Sequence, residues 1–295
     1  MVTINVVDAF TTEVGNGNRA GVVLTADGLN TQQMQDIAAF AGYSETAFVL
    51  SSKANDHDLH IRYFTPTKEV PICGHATIAA HFLRATSGHH SEYPLTAKTG
   101  AGLLPVALSG SGLKMRVSMT QSLAKFYPPF NSELRDELAN AMGISNTDYD
   151  DLPIQVVSTG HSKVIIPLAS RSILNNLRPD ADALANLSAK IGCNGFFPFV
   201  LEGDKSNPVT FGRMFAPAIG ILEDPVTGNA NGPTGAYLVH HALIECEQET
   251  HYWGHQGHTL GKPGKVRVSV KKEGTELKIQ IAGHAVLAET RSYFA

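Results

Sequence analysis

From its N-terminus the chain alternates short apolar runs with breaks marked by glycine and proline, the pattern of strands joined by turns. Residues 4 to 10 (INVVDAF) and a run around 20 to 25 predict two strands. TQQMQDIAAFAG (31 to 42) changes period: Met34, Ile37 and Phe40 fall on one side of a helix, and Thr31 is placed to cap it. Strands are predicted again over 45 to 50 and 58 to 64. After a turn at Pro66, residues 75 to 86 read as a second helix, whose Ile78, Ala79 and Phe82 among small neighbours mark burial on most faces. A hairpin, LLPVALSGSGLKMRVSM (103 to 119), turns at SGSG.

The same order of elements then recurs. RYFTP (62 to 66) is echoed by RMFAP (213 to 217), an offset of 151 that extends in both directions. Upstream, Phe48-Val49-Leu50 falls on Phe199-Val200-Leu201 at the same offset, and INVV (4 to 7) on IQVV (154 to 157) at an offset of 150. Downstream, CGHATIAAHFL (73 to 83) answers to TGNANGPTGAYLV (227 to 239), with three residues inserted, and a second hairpin closes over 266 to 283 around KEGT. The prediction is an α+β fold of two pseudo-symmetric domains, each a mostly antiparallel, barrel-like sheet wrapped around a central helix. The boundaries are an N-terminal repeat domain over 1–118 and a C-terminal one over 119–295. Residues 121–153, with a Pro-Pro pair and a helix at 131 to 143, read as the linker region, and the C-terminal residues are free to return to the first domain.

Length and composition fit this picture: 295 residues carry two cores, and 43% hydrophobic residues with 27 Gly and 15 Pro are those of a turn-rich globular chain. A net charge of -4 without a Lys/Arg run argues against a nucleic-acid or membrane-surface partner, which leaves a small molecule. No basic segment leads into an apolar stretch, and no window approaches a membrane span, so a cytoplasmic location is expected. Three scattered cysteines make neither a disulfide framework nor a CxxC site, and the 13 histidines include no HExxH, so no metal is expected.

Candidate chemistry lies at the two central helix starts. A helix N-terminus leaves its first N–H groups unpaired and carries about half a positive charge, so Gly74-His75-Ala76 and Gly228-Asn229-Ala230 are candidate holders of a carboxylate. A pseudo-twofold would bring them together across an interdomain cleft. Alternatively the glycines only permit tight turns. Glu45 is where the copies differ, since the offset of 151 sets Phe196 against it. A carboxylate leading into a buried strand loses solvation and suits proton transfer, whereas a solvated turn carboxylate is the plainer reading of the residue alone. Asp224 and His75 stand beside the expected cleft, as a turn residue and a helix cap if not as catalysts, and Cys73 is a thiol whose counterpart is Thr227.

These segments, with DAFTTEVGNGNRAGVVL, SETAFVL and GHQGHTLGKPGKVRVSV, resemble the PhzF family of phenazine-biosynthesis isomerases, nearly end to end. The resemblance implies a diaminopimelate-epimerase-like fold, a homodimer and a site that needs no cofactor. It implies that Glu45 shuttles a proton between two carbons, and that His75, Asp224 and Gly228 belong to the site. Asn229 stands where the family has serine. Asn18 matches a family Gly-Asn, followed here by Arg19 where proline is usual, and Gln256-Gly257 matches a family Gln-Gly beside the site. The expected function is thus a cofactor-independent isomerase acting on a small carboxylic acid, with Glu45, His75 and Asp224 as catalytic residues. Gly74, Ala76, Gly228, Asn229, Ala230, Asn18, Cys73, Gln256 and Gly257 would bind the substrate. The alternatives are a racemase with Cys73 as one base and a non-catalytic carboxylate-binding protein.

Overall fold

A computed structural model describes residues 1–294, which form two compact units, Met1–Thr120 with the residues from Ala282 onward, and Gln121–Ile281. The first unit runs β1 (Val2–Ala9), β2 (Asn18–Val23), α1 (Thr31–Ala41), β3 (Thr46–Ser51), β4 (Leu59–Phe64), β5 (Glu69–Val70), α2 (Gly74–Arg84), β6 (Leu95–Thr99), β7 (Gly102–Ser109) and β8 (Arg116–Thr120). The second runs β9 (Lys125–Pro129), α3 (Ser132–Met142), β10 (Gln155–Ser158), β11 (Ser162–Pro167), α4 (Arg171–Asn176), α5 (Ala181–Ile191), β12 (Phe196–Asp204), β13 (Asn207–Gly212), β14 (Met214–Ala216) and β15 (Ile221–Asp224). It continues through α6 (Gly228–His240), β16 (Glu249–Gln256), β17 (Gly264–Glu273) and β18 (Glu276–Gly283), and β19 (Ala285–Tyr293) then pairs with β1 in the first unit.

Both units follow one pairing scheme. In the first, β1 and β2 are antiparallel, β2 and β3 parallel, β3 and β4 antiparallel, β4 and β6 parallel, and β6 to β8 form a meander. In the second, β10 and β11 are antiparallel, β11 and β12 parallel, β12 and β13 antiparallel, β13 and β16 parallel, and β16 pairs antiparallel with β17. Helix α2 packs against β1, β2, β3, β8 and β19, and α6 against β10, β11, β16 and β17, so each is the core helix of its own unit. Their composition fits that place: Ala76, Ile78 and Ala79 of α2 and Ala230, Ala236, Tyr237 and Leu238 of α6 are fully buried. Phe82 is only half-buried.

The echoed pentapeptides build the same local device twice. Arg62 pairs with Glu69 and Arg213 with Glu223, each at 2.7 Å from Nη2 to Oε2. Each guanidinium also lies over a phenylalanine two residues on, Arg62 over Phe64 at 5.1 Å and Arg213 over Phe215 at 4.9 Å. This equivalence fixes the register of the neighbouring strands. Phe64 lies opposite Thr46 and Phe215 opposite Phe196. The Gly21 N–H donates to the Glu45 carbonyl at 3.1 Å, as the Val164 N–H does to that of Gly195 at 2.8 Å. Glu45 therefore answers to Gly195, not to Phe196: the strands are in register one residue off the offset that aligns the two arginines.

Three further expectations change. The N-cap of α1 is Asn30, one residue before Thr31; its side chain accepts from the Gln33 N–H while the Gln33 side chain accepts from the Asn30 N–H, a capping box. Thr31 instead accepts from Arg62 Nη2 at 3.1 Å. Phe40 turns out of the helix's core face and is 55% exposed, its ring edge-on to Tyr293. Met34, Ile37, Ala38 and Ala41 pack with Ile4, Phe48 and Phe64 instead. Residues 121–153 carry β9 and α3, and Leu138 and Met142 lie in the unit's core with Ile154, Leu187 and Phe196. No helix among the described residues is long and apolar enough to cross a membrane.

Candidate functional site

In the first unit the candidate residues converge at the start of α2. Strand β3 begins directly after Glu45, whose carbonyl is held by Gly21. Its side chain is 13% exposed and reaches His75, with Oε2 3.3 Å from Nε2. Ser44 Oγ stands 3.3 Å from the same nitrogen, and Cys73 Sγ 3.4 Å from Nδ1. Cys73 holds extended backbone angles before the helix and makes no side-chain cap. The turn is anchored from below: the N–H and hydroxyl of Thr77 both donate to the Cys73 carbonyl, at 3.0 and 2.7 Å, and Tyr63 Oη lies 2.7 Å from the Thr77 hydroxyl. Burial raises the Tyr63 pKa, which keeps this phenol a neutral anchor. Gly74, His75 and Ala76, all buried, open the helix with amides that have no carbonyl a turn earlier.

A carboxylate, an imidazole and a thiol therefore share one small volume beside helix-end amides, a set able to take, return and orient a proton. The ligand atoms of Glu45, Cys73 and His75 also lie within 4.8 Å of one another, close enough for these three to hold a metal ion. Asn18 is 98% buried at the start of β2, opposite Ala9. Arg19 after it forms a forked pair with the buried Asp8, Nε to Oδ1 at 2.7 Å and Nη2 to Oδ2 at 2.9 Å.

In the second unit Asp224, Thr227, Gln256 and Asn231 form one network around the start of α6. The Asp224 carboxylate accepts from the Thr227 hydroxyl. Gln256, 1% exposed, accepts from the Thr227 N–H at 2.9 Å and donates to the Asp224 carbonyl at 2.7 Å. Asn231 Nδ2 donates to the Thr227 carbonyl at 2.9 Å. Gly257 follows at φ 85°, where a side chain would also meet the Lys262 carbonyl at 2.2 Å. The Ala230 N–H already bonds the Thr227 carbonyl at 3.1 Å, so Gly228 and Asn229 carry the outward amides of this end. The Asn229 side chain accepts from Gln121 Nε2 at 2.9 Å, and Gln121 in turn accepts from the Thr159 hydroxyl at 2.9 Å.

Sequence reasoning did not single out Gln121, Lys163 or Ser44. Gln121 is legible only through its contact, since a side chain at Gly232 would lie 1.9 Å from its Oε1. A separate cavity of about 540 Å³, lined by Tyr127, Phe130, Val156 and Lys190 among others, holds none of the predicted site residues.

The family model for phenazine biosynthesis-like protein, PhzC-PhzF, matches residues 7–291. The chain belongs to this family. The uncharacterized isomerase YddE of Escherichia coli (strain K12) is 48% identical over 95% of this chain and 94% of its own. A trans-2,3-dihydro-3-hydroxyanthranilate isomerase of Pseudomonas chlororaphis is 32% identical over 95% of both chains. The crystal structure of a PhzF-family protein from Bacillus anthracis superposes with a TM-score of 0.91 at 34% identity, covering 100% of this chain and 99% of that one. This chain is accordingly a PhzF-family isomerase with the α+β, diaminopimelate-epimerase-like fold that racemase- and epimerase-type structures share.

Proposed function

We propose that the protein is a cofactor-independent isomerase that moves a proton between two carbons of a small carboxylic acid, with Glu45 as the acid–base group. The observation that carries this reading is the contact of Glu45 with His75 beside the buried amides of α2. Glu45 takes the proton from one carbon and returns it to another, while His75 orients the carboxylate and shares its charge. The amides of Gly74 to Ala76 stabilise the negative charge that develops on the substrate, as fixed donors do best. In the second unit, the outward amides of Gly228 and Asn229 are a further site for an anionic group, and the Asp224 carboxylate, which accepts from Thr227, is a further acid–base group. The substrate named for the Pseudomonas chlororaphis relative, a hydroxylated dihydro-anthranilate, is the first compound to try.

The test is transfer of solvent deuterium into trans-2,3-dihydro-3-hydroxyanthranilate and a panel of small unsaturated carboxylic acids that raise the melting temperature. Glu45→Gln should abolish deuterium incorporation and keep the thermal shift; undiminished incorporation sinks the assignment. A thermal shift without exchange in the wild type would instead mark a binding protein. A second reading, a racemase with Cys73 as one base, draws on the 3.4 Å between its sulfur and His75. It requires Cys73→Ala to be inactive.

A further inference from the structure

Three kinds of metal-ligating group meet at one place in the first unit. Glu45 Oε2 lies 3.3 Å from His75 Nε2, Cys73 Sγ lies 3.9 Å from the same nitrogen, and the three donor atoms fall within 4.8 Å of one another. Around a tetrahedral zinc ion, with bonds of about 2.0–2.1 Å to nitrogen and oxygen and about 2.3 Å to sulfur, neighbouring donors stand roughly 3.3–3.6 Å apart. The carboxylate and the imidazole are at that separation already, and a turn of the short Cys73 arm brings in the third donor. No spacing motif announces the set, because Glu45 precedes β3 whereas the other two stand at the start of α2.

Charge and burial suit such an ion. Cys73 and His75 are each 6% exposed, and the Glu45 side chain is 13% exposed, so a cation held here is shielded from bulk water. On binding, the thiol gives its proton to solvent, and thiolate and carboxylate together cancel the two charges of the ion. The positive end of α2 then faces a neutral centre. Sulfur beside imidazole favours zinc over magnesium or calcium, which take oxygen donors. The Cys73 backbone is already fixed by the Thr77 N–H and hydroxyl, which donate to its carbonyl at 3.0 and 2.7 Å. Three protein ligands leave the fourth position open to water or to an acidic ligand.

The second unit shows that the fold does not require this set. Its residues at the same places are Gly195, Thr227 and Asn229, which offer no carboxylate, thiol or imidazole. The space over Gly195 is filled by the stem of Lys163, whose Cδ would lie 2.5 Å from a β-carbon built on that glycine. Helix α6 is nonetheless a buried core helix like α2. We propose that Glu45, Cys73 and His75 bind a zinc ion, and that the bound ion switches the isomerase off by occupying the carboxylate and imidazole that the reaction needs. The inhibition rests on the proposed role of Glu45; the metal site does not.

Cobalt(II), added to the metal-free full chain, tests the site without a substrate. Held by a thiolate in tetrahedral geometry, it should give visible d–d bands and a near-ultraviolet sulfur-to-metal charge-transfer band at one ion per chain, and zinc should displace it. Cys73→Ser should remove the charge-transfer band, whereas Cys246→Ser, at a half-buried thiol of the other unit, should keep it. In competition with a chromophoric chelator, Cys73→Ser and the shape-preserving Glu45→Gln should each weaken zinc by more than the roughly 10–100-fold that loss of an outer partner costs. No charge-transfer band, or a band that survives Cys73→Ser, overturns the site. In the deuterium assay, exchange should fall in proportion to zinc occupancy and return when chelator is added. Exchange that is undiminished at full occupancy, or raised by it, overturns the inhibitory role. A metal-free wild type inert to every acid tried counts against the Glu45 reading and leaves the cobalt result standing.

Discussion

The His75 ring takes its polar neighbours from two stretches of chain, Ser44 and Glu45 before β3 and Cys73 before α2. Ser44 Oγ and Glu45 Oε2 both lie 3.3 Å from Nε2, so the serine fixes the ring at the nitrogen the carboxylate uses. One hydrogen bond is worth about 0.5–1.5 kcal/mol, so Ser44→Ala should slow deuterium exchange by roughly 2- to 12-fold with little change in melting temperature. An unchanged rate would remove the serine from the site. This convergence was only partly legible in the sequence. Helix-start glycines announce an anion site by their type, but nothing in the spacing of residues 45, 73 and 75 says that their side chains meet; family likeness supplied that. Lys163 and Gln121 were missed because each matters through a glycine elsewhere in the chain, at 195 and 232, whose empty side-chain position it fills.

At the scale of elements, the repeat gives one device two different strengths. The side chains of Arg62 and Glu69 are 20% and 41% exposed, whereas those of Arg213 and Glu223 are 9% and 12% exposed. Arg213 also donates to the Leu174 and Leu177 carbonyls, each at 3.1 Å. Breaking a buried pair leaves a charge without its partner, so Arg213→Ala should cost about 3–5 kcal/mol in urea unfolding. Arg62→Ala, at a more exposed pair, should cost about 1 kcal/mol or less. Equal losses would mean that the two copies are energetically alike. The repeat itself was legible because Arg, Phe and Pro recur at fixed spacing. Its register was not, because the one-residue slip between 45 and 195 is set by strand hydrogen bonds that apolar letters do not record. The cap of α1 was misplaced for a similar reason, since Asn30 and Thr31 are both good caps and only the box with Gln33 chooses between them.

At the scale of the molecule, histidine burial sets the response to acid. Burial pushes His81 down to about 3 and His161 down to about 4, from 6.5, and lowers His60, His241, His255 and His258 as well. A base whose folded pKa is depressed stays neutral while the unfolded chain takes up its proton. Stability is therefore full above about pH 6.5 and falls as pH drops toward the folded values. His81 and His161 should each cost about 2 kcal/mol between pH 7 and pH 5. Urea unfolding at the two pH values checks this, and His81→Gln should recover about 2 kcal/mol of the difference. A stability that does not change over that range would contradict the burial of these rings.

The pairing of β1 with β19 runs from Val2 opposite Tyr293 to Ala9 opposite Ala285. On the ribosome this leaves one long edge of β1 without its partner until everything between it and β19 has been made. The second unit, whose residues are contiguous, can close while the first still waits for its last strand. During synthesis the aggregation hazard of an open strand edge falls on Val2–Ala9, and completing the first unit is the work of β19.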